Sequence, residues 1–115
     1  MTPKDLVDKL GLTVCCQGSA FDRDITGGYA GDLLSDVIAN SKAGNVWITM
    51  QIHVNIVAVA VLKELSAIVL VNGRSPEEST LTKAKEENVT ILSGNRTAFE
   101  TSGVLHALGI GHTTS

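Results

Sequence analysis

The chain has little of what most specialised function classes require. No stretch approaches the ~20 consecutive apolar residues of a membrane span. Lys and Arg number 9 against 12 Asp and Glu, a formal charge of -3, and no basic cluster stands out. That balance argues against nucleic acid and against an anionic membrane surface, both of which are held by basic patches. There are only two cysteines, and they are neighbours, Cys15 and Cys16. Adjacent residues of a strand point to opposite faces, so a bridge between them is geometrically poor. Reduced thiols in a cytoplasmic protein are the expectation. The opening Met1-Thr2-Pro3-Lys4-Asp5 is not a secretory signal.

Catalytic and cofactor signatures are missing too. There is no phosphate-loop lysine motif, and Gly27-Gly28-Tyr29-Ala30-Gly31 lacks the dinucleotide spacing. The histidines, His53, His106 and His112, show no paired ligand spacing, so neither a metal nor a cofactor is expected. Ser19 and Ser93 have no evident base and orienting acid to make either a nucleophile.

What is present is a fold pattern. Val46-Trp47-Ile48-Thr49-Met50, Ala67-Ile68-Val69-Leu70-Val71 and Val89-Thr90-Ile91-Leu92 are short apolar runs bounded by turn residues and separated by helical patterns. This alternation predicts an α/β domain with a mainly parallel sheet, its βα units linked by right-handed crossovers and flanked by helices. At 115 residues the chain is expected to be a single domain spanning 1–115, with 112–115 a frayed tail.

Other segments fill in the frame. Thr2 is placed to cap a short helix that ends at Gly11, and residues 12–16 read as a first strand. A brief extended piece is expected over 25–30, then a helix over 32–41 with Leu33, Leu34, Val37 and Ile38 on the sheet. Ser75, Pro76 and Glu78 have the order of a helix cap, first turn and capping box, and Asn88 that of a left-handed stop. That helix has a thin apolar stripe, Leu81 and Ala84, and a solvated acidic face. The last helix starts near Thr97, with Glu100 three residues on, and turns Ala98, Thr101, Val104, Leu105 and Leu108 inward.

The helix expected over 54–65 is apolar on two sides. At about 100° per residue, Val54, Val57, Ala58, Val61, Leu62 and Leu65 share one face, read as the sheet-facing one. Ile56, Val59 and Ala60, beside Lys63, fall opposite. Burying Ile56 and Val59 is worth on the order of 3–6 kcal/mol. The expected cover is a symmetry mate, giving a homodimer with Ile56, Val59, Ala60 and Lys63 at its interface. The alternative cover is the final helix.

From Cys15 to Ile110 the order of elements resembles the DRTGG domain, which occurs beside CBS domains in some family II pyrophosphatases and is similar to the amino-terminal domain of HPr kinase/phosphorylase. The resemblance rests on residues 48–56, on Val71-Asn72-Gly73-Arg74-Ser75-Pro76-Glu77-Glu78 and on Thr97-Ala98-Phe99-Glu100. By element order the family's Asp-Arg aligns with the turn at 51–55, and its Thr-Gly-Gly with Val71-Asn72-Gly73, where only the glycine is kept. The resemblance implies a non-catalytic regulatory or interaction module.

Ligands of parallel sheets sit beyond the strand carboxyl ends, where helix amino termini present N–H groups to anions. Those ends carry Gln51, His53 and Asn55, then Asn72, Gly73 and Arg74, then Ser93, Asn95 and Thr97. A small anionic metabolite such as an adenine nucleotide is the expected ligand, with a protein partner as a further expectation. The competing expectation is a small enzyme or phosphate-handling protein that uses His53, Arg74 and Asn95.

Overall fold

The computed structural model describes residues 1–111, so the expected frayed tail at 112–115 lies outside the described residues. Five strands form one sheet in the order β1-β5-β4-β3-β2: β1 (Thr13–Cys16), β2 (Gly27–Ala30), β3 (Asn45–Thr49), β4 (Ala67–Leu70) and β5 (Ile91–Ser93). The pairs from β2 to β5 are parallel, and β1 lies antiparallel along the β5 edge. The three apolar runs of the sequence are the sheet's centre. They show no polar alternation because both faces are covered. Val46, Ile48, Ala67, Val69 and Leu92 pack on one side, and Trp47, Ile68, Leu70 and Ile91 on the other.

Helices α1 (Pro3–Leu10) and α5 (Ala98–Ala107) cover the first side through Leu6, Leu10 and Leu105. Helices α2 (Leu34–Asn40), α3 (Asn55–Lys63) and α4 (Glu78–Glu87) cover the second. Each of these three is a crossover between neighbouring parallel strands. A uniform handedness of connection in a sheet of monotonic order requires all of them on one side.

Three local expectations are overturned. First, α3 is turned over. Ile56, Val57, Val59 and Ala60 are the buried set, joined to Val37, Trp47, Ile68 and Leu70, whereas Val54, Ala58, Val61 and Leu62 face outward. Both sides of α3 are apolar, so periodicity could not choose between them; lateral packing between α2 and α4 does. Ile56, Val59 and Ala60 are therefore core residues rather than an interface, and Lys63 lies half-buried beside them. The final helix does not cover α3, because α5 packs against β2 and β3 on the opposite side of the sheet. Second, on α2 only Val37 is buried, with Leu34 partly so, while Leu33 and Ile38 are exposed.

Third, the cysteines share a face. The β1–β5 register pairs Val14 with Leu92 but Cys16 with Ile91, so Cys15 is the extra residue of a β-bulge. Both side chains pack against the α4-side cluster, and both thiols are free.

Candidate functional site

The loops at the carboxyl ends of β2, β3, β4 and β5 define the site. Because the parallel strands run in monotonic order, no switch-point crevice opens between them. Relief there comes from the loops alone.

The β4–α4 loop begins with a tight turn. Asn72 and Gly73 both take positive φ, 58° and 67°, and the Arg74 N–H donates to the Val71 carbonyl at 3.1 Å. Two consecutive left-handed residues are the requirement of a type I′ turn, which Asn-Gly satisfies best. The turn is tied to the β5 loop by Asn72 N–H to Arg96 O (2.9 Å) and Gly73 N–H to Gly94 O (2.8 Å), and Ser93 Oγ donates to Arg74 O at 2.6 Å. Arg74 is thus held rigidly by its backbone. Its guanidinium has no ion pair or hydrogen-bond partner among the described residues.

Next to it, the β3–α3 loop is fastened to the β2–α2 loop by Asp32. One carboxylate oxygen, Oδ1, accepts from Thr49 Oγ1 (2.7 Å) and from the Met50 N–H (2.8 Å), while Gln51 Nε2 donates to the Asp32 carbonyl (2.9 Å). Sequence reasoning passed over Asp32 as a helix start. The helix is instead capped by Leu33 without a side-chain bond, and Asp32 spends its carboxylate across the loop.

His53 Nδ1 lies 2.9 Å from Glu77 Oε1, both groups well exposed. The Ile52 carbonyl accepts from the Glu77 N–H (3.2 Å) and from Thr80 Oγ1 (2.7 Å). These contacts explain why the expected Ser75 cap is not used. Glu77 is the N-cap of α4, with no side-chain cap bond of its own, and a carbonyl already sits at that helix start. By contrast α3 follows Val54, which supplies no capping side chain, and its first turn is closed by backbone bonds, Ile56 N–H to His53 O and Val57 N–H to Val54 O, both at 3.1 Å.

These constraints split the nine expected ligand residues. Gln51, His53 and Arg74 line one small cavity of about 150 Å³ together with Asp32, Met50 and Ile52. Gly73, Ser93 and Asn95 line a second, of about 220 Å³, with Thr13, Cys15 and Ser75. Asn55, Asn72 and Thr97 line neither. Asn72 Nδ2 is 2.9 Å from Met50 Sδ, and Thr97 is spent on the α5 capping box with Glu100. The other arginine of these loops, Arg96, is turned away and donates to Leu10 O at 2.8 Å. Among the described residues no cluster of three or more His, Cys, Asp or Glu is arranged to hold a metal ion, and no helix is long and apolar enough to cross a membrane.

Electrostatically the first cavity sets one free cation, Arg74, against one carboxylate, Asp32, whose Oδ1 is already satisfied. Such a pairing is complementary to an anionic group beside a hydrogen-bond donor. In the second cavity the walls are polar but uncharged, and burial raises the Cys15 thiol above its ordinary range, with Cys16 adding to the shift.

No family model matches the chain, and no curated protein matches it. Among solved structures it is similar to the CBS and DRTGG domains of the regulatory region of Clostridium perfringens pyrophosphatase, complexed with activator, diadenosine tetraphosphate. The TM-score is 0.71 at 15% identity, over 94% of this chain and 46% of that one, so the chain spans less than half of the similar structure. The two share a fold.

Proposed function

We propose that the protein is a non-catalytic regulatory domain that senses a small anionic metabolite, such as an adenine nucleotide, at the strand carboxyl ends. The observation that carries this reading is the unpartnered Arg74 guanidinium at the cavity of Asp32, Gln51 and His53. A fold shared with a nucleotide-activated regulatory region supports it. Residues 1–115 act as one domain in this account, a cytoplasmic location goes with its two free thiols, and self-association and a protein partner belong to the same role.

A thermal-shift titration with adenine nucleotides tests the reading. Stabilisation that saturates and is weakened by Arg74→Ala by about 1.5–3 kcal/mol, the worth of a charged hydrogen bond, is expected. Glu86→Ala, on the solvated face of α4, leaves it unchanged. No stabilisation at millimolar nucleotide, or equal stabilisation of Arg74→Ala, overturns the reading.

One observation favours an enzyme instead: His53 is oriented by a carboxylate, Glu77, as a general base is. Against this, Asn95 lines the other cavity, and no hydroxyl or thiol side chain lines the one that holds His53. Turnover of a phosphorylated substrate, abolished by His53→Ala, is the result that selects the enzyme.

A further inference from the structure

Eight large apolar side chains are exposed among the described residues, and six of them, Leu33, Ile38, Met50, Val54, Val61 and Leu62, come from residues 33–62. That stretch is α2, β3 and α3. The two helices pack side by side and run in the same direction from the strand carboxyl ends, so Leu33 lies near the start of α3. Along α3 the outward positions Val54 (44% exposed), Ala58, Val61 (45%) and Leu62 (65%) contain no charge. Soluble monomers normally place charged residues on the outer side of such a helix.

We propose that this outward face of α2 and α3 is the contact between two copies of the chain, related by a two-fold axis near Ala58. The surface is distinct from the Ile56, Val59 and Ala60 side, which is core, and the inference does not depend on the ligand reading. Three observations select a second copy as the occupant. First, the five of these side chains other than Met50, which lines the candidate cavity, together expose roughly 450 Å², in the range of functional patches. With a polar rim this supplies most of the ~800 Å² per partner of a standard interface. Second, the patch carries no charge that would ask for a complement of opposite sign. The charges at its rim on α4 are partly paired within the chain, with Lys83 at 3.7 Å from Glu86 and 3.4 Å from Glu87. Third, an antiparallel helix pair centred on Ala58 sets Val54 of one copy against Leu62 of the other, and the small Ala58 at the crossing permits close axial approach.

Sedimentation velocity at 50 μM is the test. The unmodified chain is expected at twice its 12.1 kDa mass, and the Val54→Glu, Leu62→Glu variant at the single mass, with the far-ultraviolet dichroism of the unmodified chain. Because both substitutions are at exposed positions, folding should survive. If it does not, Ala58→Cys provides an independent reading: oxidation should couple two chains through position 58, while Phe99→Cys, on an exposed position of α5, should not couple. A chain of single mass at 50 μM, a glutamate variant that remains a folded dimer, or equal coupling through positions 58 and 99 overturns the proposal.

Discussion

Cys15 and Cys16 are titrating groups whose environment is set by one irregularity in a strand. Desolvation raises both thiols above their ordinary range, so at neutral pH both are protonated and poor nucleophiles. Iodoacetamide at pH 7.5 should modify the half-buried Cys15 slowly and the buried Cys16 only on unfolding, as mass spectrometry of timed samples would show. The sign of the pH effect follows. Raised thiols add stability below about pH 8.5 that is lost as pH rises through their folded values. Cys16→Ala should therefore flatten the alkaline limb of the stability curve. Asp5 works the other way. Its carboxyl is held below the ordinary range by the Thr2 N–H and hydroxyl in the α1 capping box, so its contribution is present above about pH 4 and fades as pH falls further. Asp5→Asn should remove part of the acid sensitivity, read from denaturation midpoints between pH 2.5 and 5. The capping box at Thr97 and Glu100 was legible in the sequence because a cap is a local four-residue pattern. Asp32 was not, because its partners are 17 and 18 residues away across a loop.

At the scale of elements, α3 shows what periodicity can and cannot decide. Strand identity and order of the central three runs were legible, since buried parallel strands are continuous apolar runs between turns. Which side of α3 faces the sheet was not, because both sides are apolar and the choice is made by Trp47 and the flanking helices. The reversal has a measurable consequence. Ile56→Ala should cost about 2–5 kcal/mol, as cavity-forming core truncations do, whereas Leu62→Ala, at a concentration low enough to keep the chain monomeric, should stay within about 0.5 kcal/mol. Urea denaturation followed by Trp47, the sole and fully buried tryptophan, reports both. The helix expected to start with Ser75 begins instead at Glu78 because Glu77 and Thr80 are engaged by the β3–α3 loop, a tertiary contact that local cap rules do not contain. The loop after β1 makes a similar point. A Cβ on Gly18 would stand 2.2 Å from the Asn88 carbonyl oxygen, at the turn between α4 and β5. Backbone cannot yield as a side chain does, so Gly18→Ala should destabilise by about 1–3 kcal/mol in the same assay.

For the whole molecule, a sheet wound in one direction puts three crossover helices on one side and leaves the strand carboxyl ends as a rim of loops rather than a crevice. The expected site residues lie in the loops at the strand carboxyl ends, but which of them converge was not legible, since that depends on turns such as 71–74 and on the Asp32 contacts. The outcome is a small cavity with one free cation, Arg74. The same architecture exposes the apolar flank of α2 and α3, so the proposed ligand and association surfaces adjoin. A titration of the uniformly 15N-labelled chain with an adenine nucleotide tests the recognition claim most directly. The account predicts amide shift changes concentrated at Asp32, Gln51, His53 and Arg74 and at the start of α3, and their loss in Arg74→Ala. Shifts centred instead on the α3–α4 groove of Glu78, Lys83 and Glu86, or none at millimolar nucleotide, would contradict it.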